Sequence, residues 1–167
     1  LHWYCYNQMW NKLRDIECHV ILQMDDDFIL CDNFLDTIVD LYFDLKIENS
    51  GIMAIAPHKW SFQKHTDNEG WWKRKDFVDG IALIDEYIIK SMDYGMKPVD
   101  MKAVSKPGAP VRTWIQISDA IKKTGGIIYR TEFSLVYHDG NNDSKLHGDV
   151  RKDGKTGVYT QKYIGKL

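Results

Sequence analysis

At 167 residues the chain is long enough for one domain with its own core, and a composition of 44% hydrophobic and 28% charged residues argues against disorder. The formal charge of −2 gives no electrostatic case for a nucleic-acid or anionic-membrane partner. Cys5, Cys18 and Cys31 are odd in number and lack C-x-x-C spacing, which excludes a disulfide framework or zinc site as the simple reading and makes a reducing compartment, the cytoplasm, the expected location.

Taken in order, Trp3, Tyr6, Met9, Trp10 and Leu13 recur at helical spacing, so residues 3–17 are predicted to form an amphipathic helix whose aromatic stripe is core. Val20, Ile21 and Leu22 then form a buried strand, too short and too sharply bounded for a helix. Asp25, Asp26 and Asp27 sit at its end. Asp32 and Asn33 offer an N-cap for a helix carrying Phe34, Leu35, Ile38, Val39, Leu41, Tyr42 and Leu45. The expected order is therefore strand, acidic turn, helix.

Three adjacent carboxylates repel one another unless a cation or hydrogen-bond donors compensate. A hard divalent ion does this well, because Mg²⁺ and Mn²⁺ favour oxygen ligands and accept one or two carboxylates beside substrate phosphates. The alternative is a solvated acidic turn that only caps the next helix. In open α/β sheets ligands bind outside the carboxyl ends of strands, where these aspartates are expected.

Further on, Asn49, Ser50 and Gly51 predict a turn, and Ile52 to Ala56 a second buried strand stopped by Pro57. Residues 58–75 carry Trp60, Trp71 and Trp72 among His58, Lys59, Lys64, His65, Lys73, Arg74 and Lys75. They are expected as a loop, suited to sugar stacking or polyanion binding, or else as cover for a sheet edge. Phe77 to Leu83 is expected as a strand in which Gly80 permits close approach of backbone or ligand. Asp85 caps a helix to about Met92. Residues 98–112 are expected as loop, and Trp114, Ile117 and Ile121 as a helix closed by Gly125 and Gly126. Strands Ile127 to Tyr129 and Phe133 to His138 follow. The polar tail beyond contains Lys145, His147 and Arg151. No apolar run approaches the roughly 18 residues of a membrane span, and no signal peptide is visible.

A hydrophobic strand ending in D-D-D, then an apolar pair and a helix, resembles the metal-binding motif of nucleotide-sugar glycosyltransferases of the GT-A fold, in particular the large inverting family that includes cellulose and chitin synthases. The resemblance covers about residues 5 to 140 and includes the later order helix, GG, IIY, FSLVYH. It implies an α/β, Rossmann-like mixed sheet flanked by helices, with residues 1–167 forming one domain. Because such enzymes place a nucleotide-binding βαβ half before the acidic motif, it also implies that this half is missing here.

By the same resemblance, the cofactor is Mn²⁺ or Mg²⁺, held by Asp27 with Asp25 and completed by His138. Asp25 and Asp26 contact the ribose or diphosphate. Lys145, His147 and Arg151 offset charge on the departing nucleotide, and Asp79 belongs to the acceptor wall. The implied donor is a nucleotide sugar, a UDP-sugar in the first instance, and the acceptor a glycan or other hydroxyl compound. One departure stands out: Arg112, Thr113 and Trp114 occupy the place of the family's catalytic Glu-Asp pair. A single displacement then needs another general base. Asp79, Asp100 and Asp119 are the candidates, with Asp79 chosen, and retaining chemistry or an inactive fragment stays open. Two other classes use the same features differently: a two-metal nucleotidyl or phosphoryl transferase, and a carbohydrate-binding module that needs only the tryptophans.

Overall fold

The computed structural model describes residues 2–25, 28–57, 72–75, 78, 80–98, 112–131 and 134–138, with backbone alone described for His2, Trp72 to Lys75, Arg112, Tyr137 and His138. The elements are α1 (His2–Asn11), β1 (Val20–Met24), β2 (Phe28–Leu30), α2 (Phe34–Glu48), β3 (Ile52–Ala56), β4 (Trp72–Lys75), β5 (Ile81–Asp85), α3 (Glu86–Ser91), α4 (Arg112–Lys123), β6 (Ile127–Thr131) and β7 (Val136–His138). The architecture is mixed α/β.

A five-stranded sheet in the order β1-β5-β3-β6-β4 forms the middle layer, and β2 pairs with β7 in a separate two-stranded sheet. β5 runs antiparallel to both β1 and β3, β6 runs parallel to β3, and β4 runs antiparallel to β6. It follows that β1, β3 and β6 point the same way, so their carboxyl ends share one edge of the sheet.

Period-two alternation sends the strands' side chains to two cores. On one face Ile21, Ala54, Ala82, Ile84 and Ile128 pack with Tyr6 and Trp10 of α1, Ile88 and Ile89 of α3, and Trp114, Ile117 and Ile121 of α4. On the other, Ile52, Ile55, Ile81 and Leu83 pack with Phe34, Ile38, Tyr42 and Leu45 of α2 and with Leu135 and Val136. A register irregularity between Ile52 and Ala54 lets Ile52 and Ile55, three residues apart, face the same core. Burying each of these side chains stabilises by about 1.5–3 kcal/mol before entropy is counted.

Several expectations need correction. α1 ends at Asn11 rather than near residue 17, because Lys12, Leu13 and Arg14 turn back with amide bonds to Met9, Trp10 and Asn11 carbonyls, three residues behind. Met9 of the aromatic stripe is exposed. Between the acidic turn and α2 lies a strand, β2, because Phe28 to Leu30 find a partner 108 positions on in β7, which local pattern does not reveal. Asn33 occupies the N-cap of α2 in a left-handed conformation (φ 55°) but makes no side-chain cap bond. Trp72 to Lys75, expected as loop, pair with β6 as an edge strand, Trp72 opposite Thr131. The strand expected from Phe77 begins at Ile81, after a bend at Gly80. The last strand among the described residues is Val136–His138, and Phe133, its expected start, lies outside the described residues.

Other local signals hold. Asp85 caps α3 by accepting a bond from the Tyr87 amide at 2.9 Å. Gly125 closes α4 with φ 71°, its amide bonding the Lys122 carbonyl while the Gly126 amide bonds that of Ile121, a Schellman pair. All three cysteines are free thiols. Among the described residues, no helix is long and apolar enough to cross a membrane.

Candidate functional site

Asp25 leaves the carboxyl end of β1 and is fixed from two directions. Its amide donates to the Gly80 carbonyl at 2.8 Å, extending the β1–β5 ladder by one rung, and its Oδ1 accepts the Tyr6 hydroxyl at 2.6 Å. Tyr6 is itself held: its ring stacks on Trp10 and meets the edge of Trp114, at centroid distances of 6.1 and 6.3 Å. Trp10 in turn donates its indole N–H to Gln23 Oε1 at 3.1 Å, and Gln23 stands on the same face of β1 as Asp25, two residues earlier. The carboxylate is thus aimed by an aromatic and polar scaffold spanning α1, β1 and α4. Sequence reasoning placed Tyr6 in the core and missed its hydroxyl; the available signal was a Tyr where Phe would serve an apolar stripe.

Gly80 is needed here for two reasons. Its φ of 69° is left-handed, and a Cβ would lie 2.8 Å from Phe28 Cζ and 3.9 Å from Asp25 Oδ2. The Phe28 ring therefore covers Gly80 on the side of the Asp25 carboxylate. The expected close approach at Gly80 is met by a side chain of β2.

The two-stranded sheet brings Phe28, the residue that follows the D-D-D run in sequence, to the end of the chain's last described strand. Phe28, one residue beyond Asp27, is the register partner of His138, and Leu30 that of Val136. The Cys31 amide extends this pairing to the Leu135 carbonyl at 3.1 Å, and the Leu135 amide donates to the Pro57 carbonyl at 2.9 Å, tying the small sheet to the carboxyl end of β3. The carboxyl end of β3 and the β2–β7 pair, with the backbone of His138, are therefore tied together, and Phe28 of β2 reaches Gly80 beside the carboxyl end of β1.

Of the expected site residues, Asp25 and the backbone of His138 are described, and both border Phe28: His138 as its register partner, and Asp25 across Gly80. Asp26, Asp27, Asp79, Lys145, His147 and Arg151 lie outside the described residues, as do Trp60, Trp71 and Asp100. The neighbours of Asp79 are anchored at the same edge: the Val78 amide donates to Ser118 Oγ of α4 at 3.0 Å, and Gly80 holds Asp25. Asp119 sits within α4, as expected. Arg112, Thr113 and Trp114 form the first turn of that helix, where Thr113 and Trp114 are buried. Arg130 and Thr131, buried at the carboxyl end of β6, are further polar residues at this edge that the sequence reading did not single out.

Among the described residues no group of three His, Cys, Asp or Glu side chains forms a metal cage. The Asp25 carboxylate is an oxygen donor of the kind a hard divalent ion takes. No family model matches the sequence, and no curated protein matches it.

Proposed function

We propose that the chain is part of a GT-A-type, metal-dependent glycosyltransferase, moving a sugar from a nucleotide-sugar donor, a UDP-sugar in the first instance, to a hydroxyl acceptor. The observation that supports this reading best is the β2–β7 pairing, in which the backbone of His138 is the register partner of Phe28, the residue that follows the D-D-D run in sequence. Asp25, Asp27 and His138 would hold Mn²⁺ or Mg²⁺. The ion's contribution is Lewis-acid stabilisation of charge on the leaving diphosphate.

The remaining steps belong to the chain's own groups. The Tyr6 hydroxyl donates to Asp25 Oδ1, which orients the carboxylate. Asp26 takes the ribose or diphosphate side. Lys145, His147 and Arg151 of the tail supply positive charge to the departing nucleotide. Asp79, between the anchored Val78 and Gly80, accepts the proton of the acceptor hydroxyl.

The test is turnover. The chain is incubated with Mn²⁺, a panel of nucleotide sugars and simple glycoside acceptors, and nucleoside diphosphate release is followed. Release that requires Mn²⁺ and falls on the order of 100-fold in Asp79→Asn, with nucleotide binding retained, is expected. No release from any nucleotide sugar above the metal-only rate would overturn the reading.

A further inference from the structure

The outer side of α2 is unusual for a surface helix. Its buried residues, Phe34, Ile38, Tyr42 and Leu45, account for the packing on the sheet. A second apolar row, Leu35, Val39, Phe43 and Ile47, then runs the length of the helix at intervals of four, with Leu35 55%, Phe43 41% and Ile47 84% exposed and Val39 half-buried. Scattered exposed apolar residues need no explanation, whereas a continuous row is the kind of patch that marks an interaction site. Rows at intervals of four are also the ridges that pack into the grooves of another helix.

Charge selects the partner. Asp36, Asp40, Asp44 and Glu48 form a second row at the same interval, one position on and about 100° around the helix, and all four are exposed. The single cation of α2, Lys46, turns inward to Asp85 and does not offset them. Two copies of this helix face to face would set acidic rows against each other, and an anionic lipid surface would be repelled for the same reason. His19, edge-on to Phe43 at a centroid distance of 6.4 Å, borders the ridge on the side of β1.

We propose that this face of α2 docks a cationic amphipathic helix of a partner protein, one whose apolar seam meets Leu35, Val39, Phe43 and Ile47 while flanking Lys or Arg meets the acidic row. This surface serves assembly, separate from the chemistry of the sheet edge, and stands whether or not the chain transfers sugar.

The test uses the 167-residue chain and a fluorescein-labelled Leu/Lys helix of about 18 residues, five turns, with a Leu/Glu helix of the same pattern as control. Fluorescence anisotropy should show saturable binding of the Leu/Lys helix and none of the Leu/Glu helix. Phe43→Ser/Ile47→Ser and Asp40→Lys/Asp44→Lys should each weaken it at least about tenfold, or about 1.4 kcal/mol. Both variants change exposed positions and should melt within about 2 °C of the parent. Equal affinity of parent and variants would overturn the proposal, because the peptide would then be bound elsewhere. Binding of the chain to phosphatidylcholine vesicles, lost in Phe43→Ser/Ile47→Ser, would overturn it in favour of a membrane surface.

Discussion

Tyr6 and Gly80 show how much of the site depends on single atoms. Removing the hydroxyl in Tyr6→Phe keeps the stacked ring but leaves Asp25 Oδ1 without the bond at 2.6 Å. A loss of about 1–2 kcal/mol in urea unfolding is expected, together with Mn²⁺ binding weakened severalfold. Unchanged metal affinity with the same stability loss would reduce Tyr6 to a structural residue. Gly80→Ala forces a left-handed residue against Phe28. A loss of about 1–3 kcal/mol is expected from strain alone, and a variant as stable as the parent would show that the Phe28 ring can move aside. The close approach at Gly80 was legible in the sequence, though as an approach of backbone or ligand rather than of the Phe28 side chain; the role of the Tyr6 hydroxyl was not. A helical pattern reports which face is buried and says nothing of where a hydroxyl on that face points.

At the scale of elements, α2, β3 and β5 are clamped through one carboxylate. Asp85 Oδ2 accepts bonds from Tyr42 at 2.6 Å and from Lys46 at 2.8 Å, and Lys46 also donates to the Ile52 carbonyl at 2.6 Å. Burial alone pushes the Asp85 carboxyl up, but the bonds from Lys46, Tyr42 and the Tyr87 amide, with the Lys46 charge, outweigh it and hold the group below its ordinary value. Burial, followed by the bond to Asp85, pushes the Tyr42 phenol up, so it stays a proton donor at any ordinary pH.

A carboxyl lowered on folding stabilises the protein above its unfolded value, about 3.9, and that contribution is lost as pH falls through the lower folded value. Melting curves taken from pH 7 to pH 3 should therefore show a drop below about pH 4 that Asp85→Asn lacks. Identical acid limbs would remove Asp85 from the account. Lys46→Met leaves the partly buried carboxylate short of its cation and should cost about 2 kcal/mol at pH 7, less than a fully buried pair because both groups keep some water contact.

For the whole molecule, what the sequence made legible was local. The β3 span, the Asp85 cap and the Gly125–Gly126 stop rest on contacts within a few residues, where propensity and periodicity act, and the helical stripes were legible in part, Met9 and Leu35 being exposed. What it hid was long-range. β2 becomes a strand through β7, Trp72 to Lys75 become one through β6, and β1, expected as a buried strand, lies at the edge of the described sheet and is buried at alternate positions only. The acidic run was visible as composition, and the neighbourhood of the residue after it, Phe28, with His138 only as topology.

That neighbourhood is the central claim, and calorimetric titration with Mn²⁺ in the presence of UDP tests it most directly. One metal site is expected in the parent chain, abolished in Asp27→Ala and weakened in His138→Ala, with melting temperatures of all three within a few degrees. Mn²⁺ binding that is the same in the parent, Asp27→Ala and His138→Ala, or absent from all three, would contradict it.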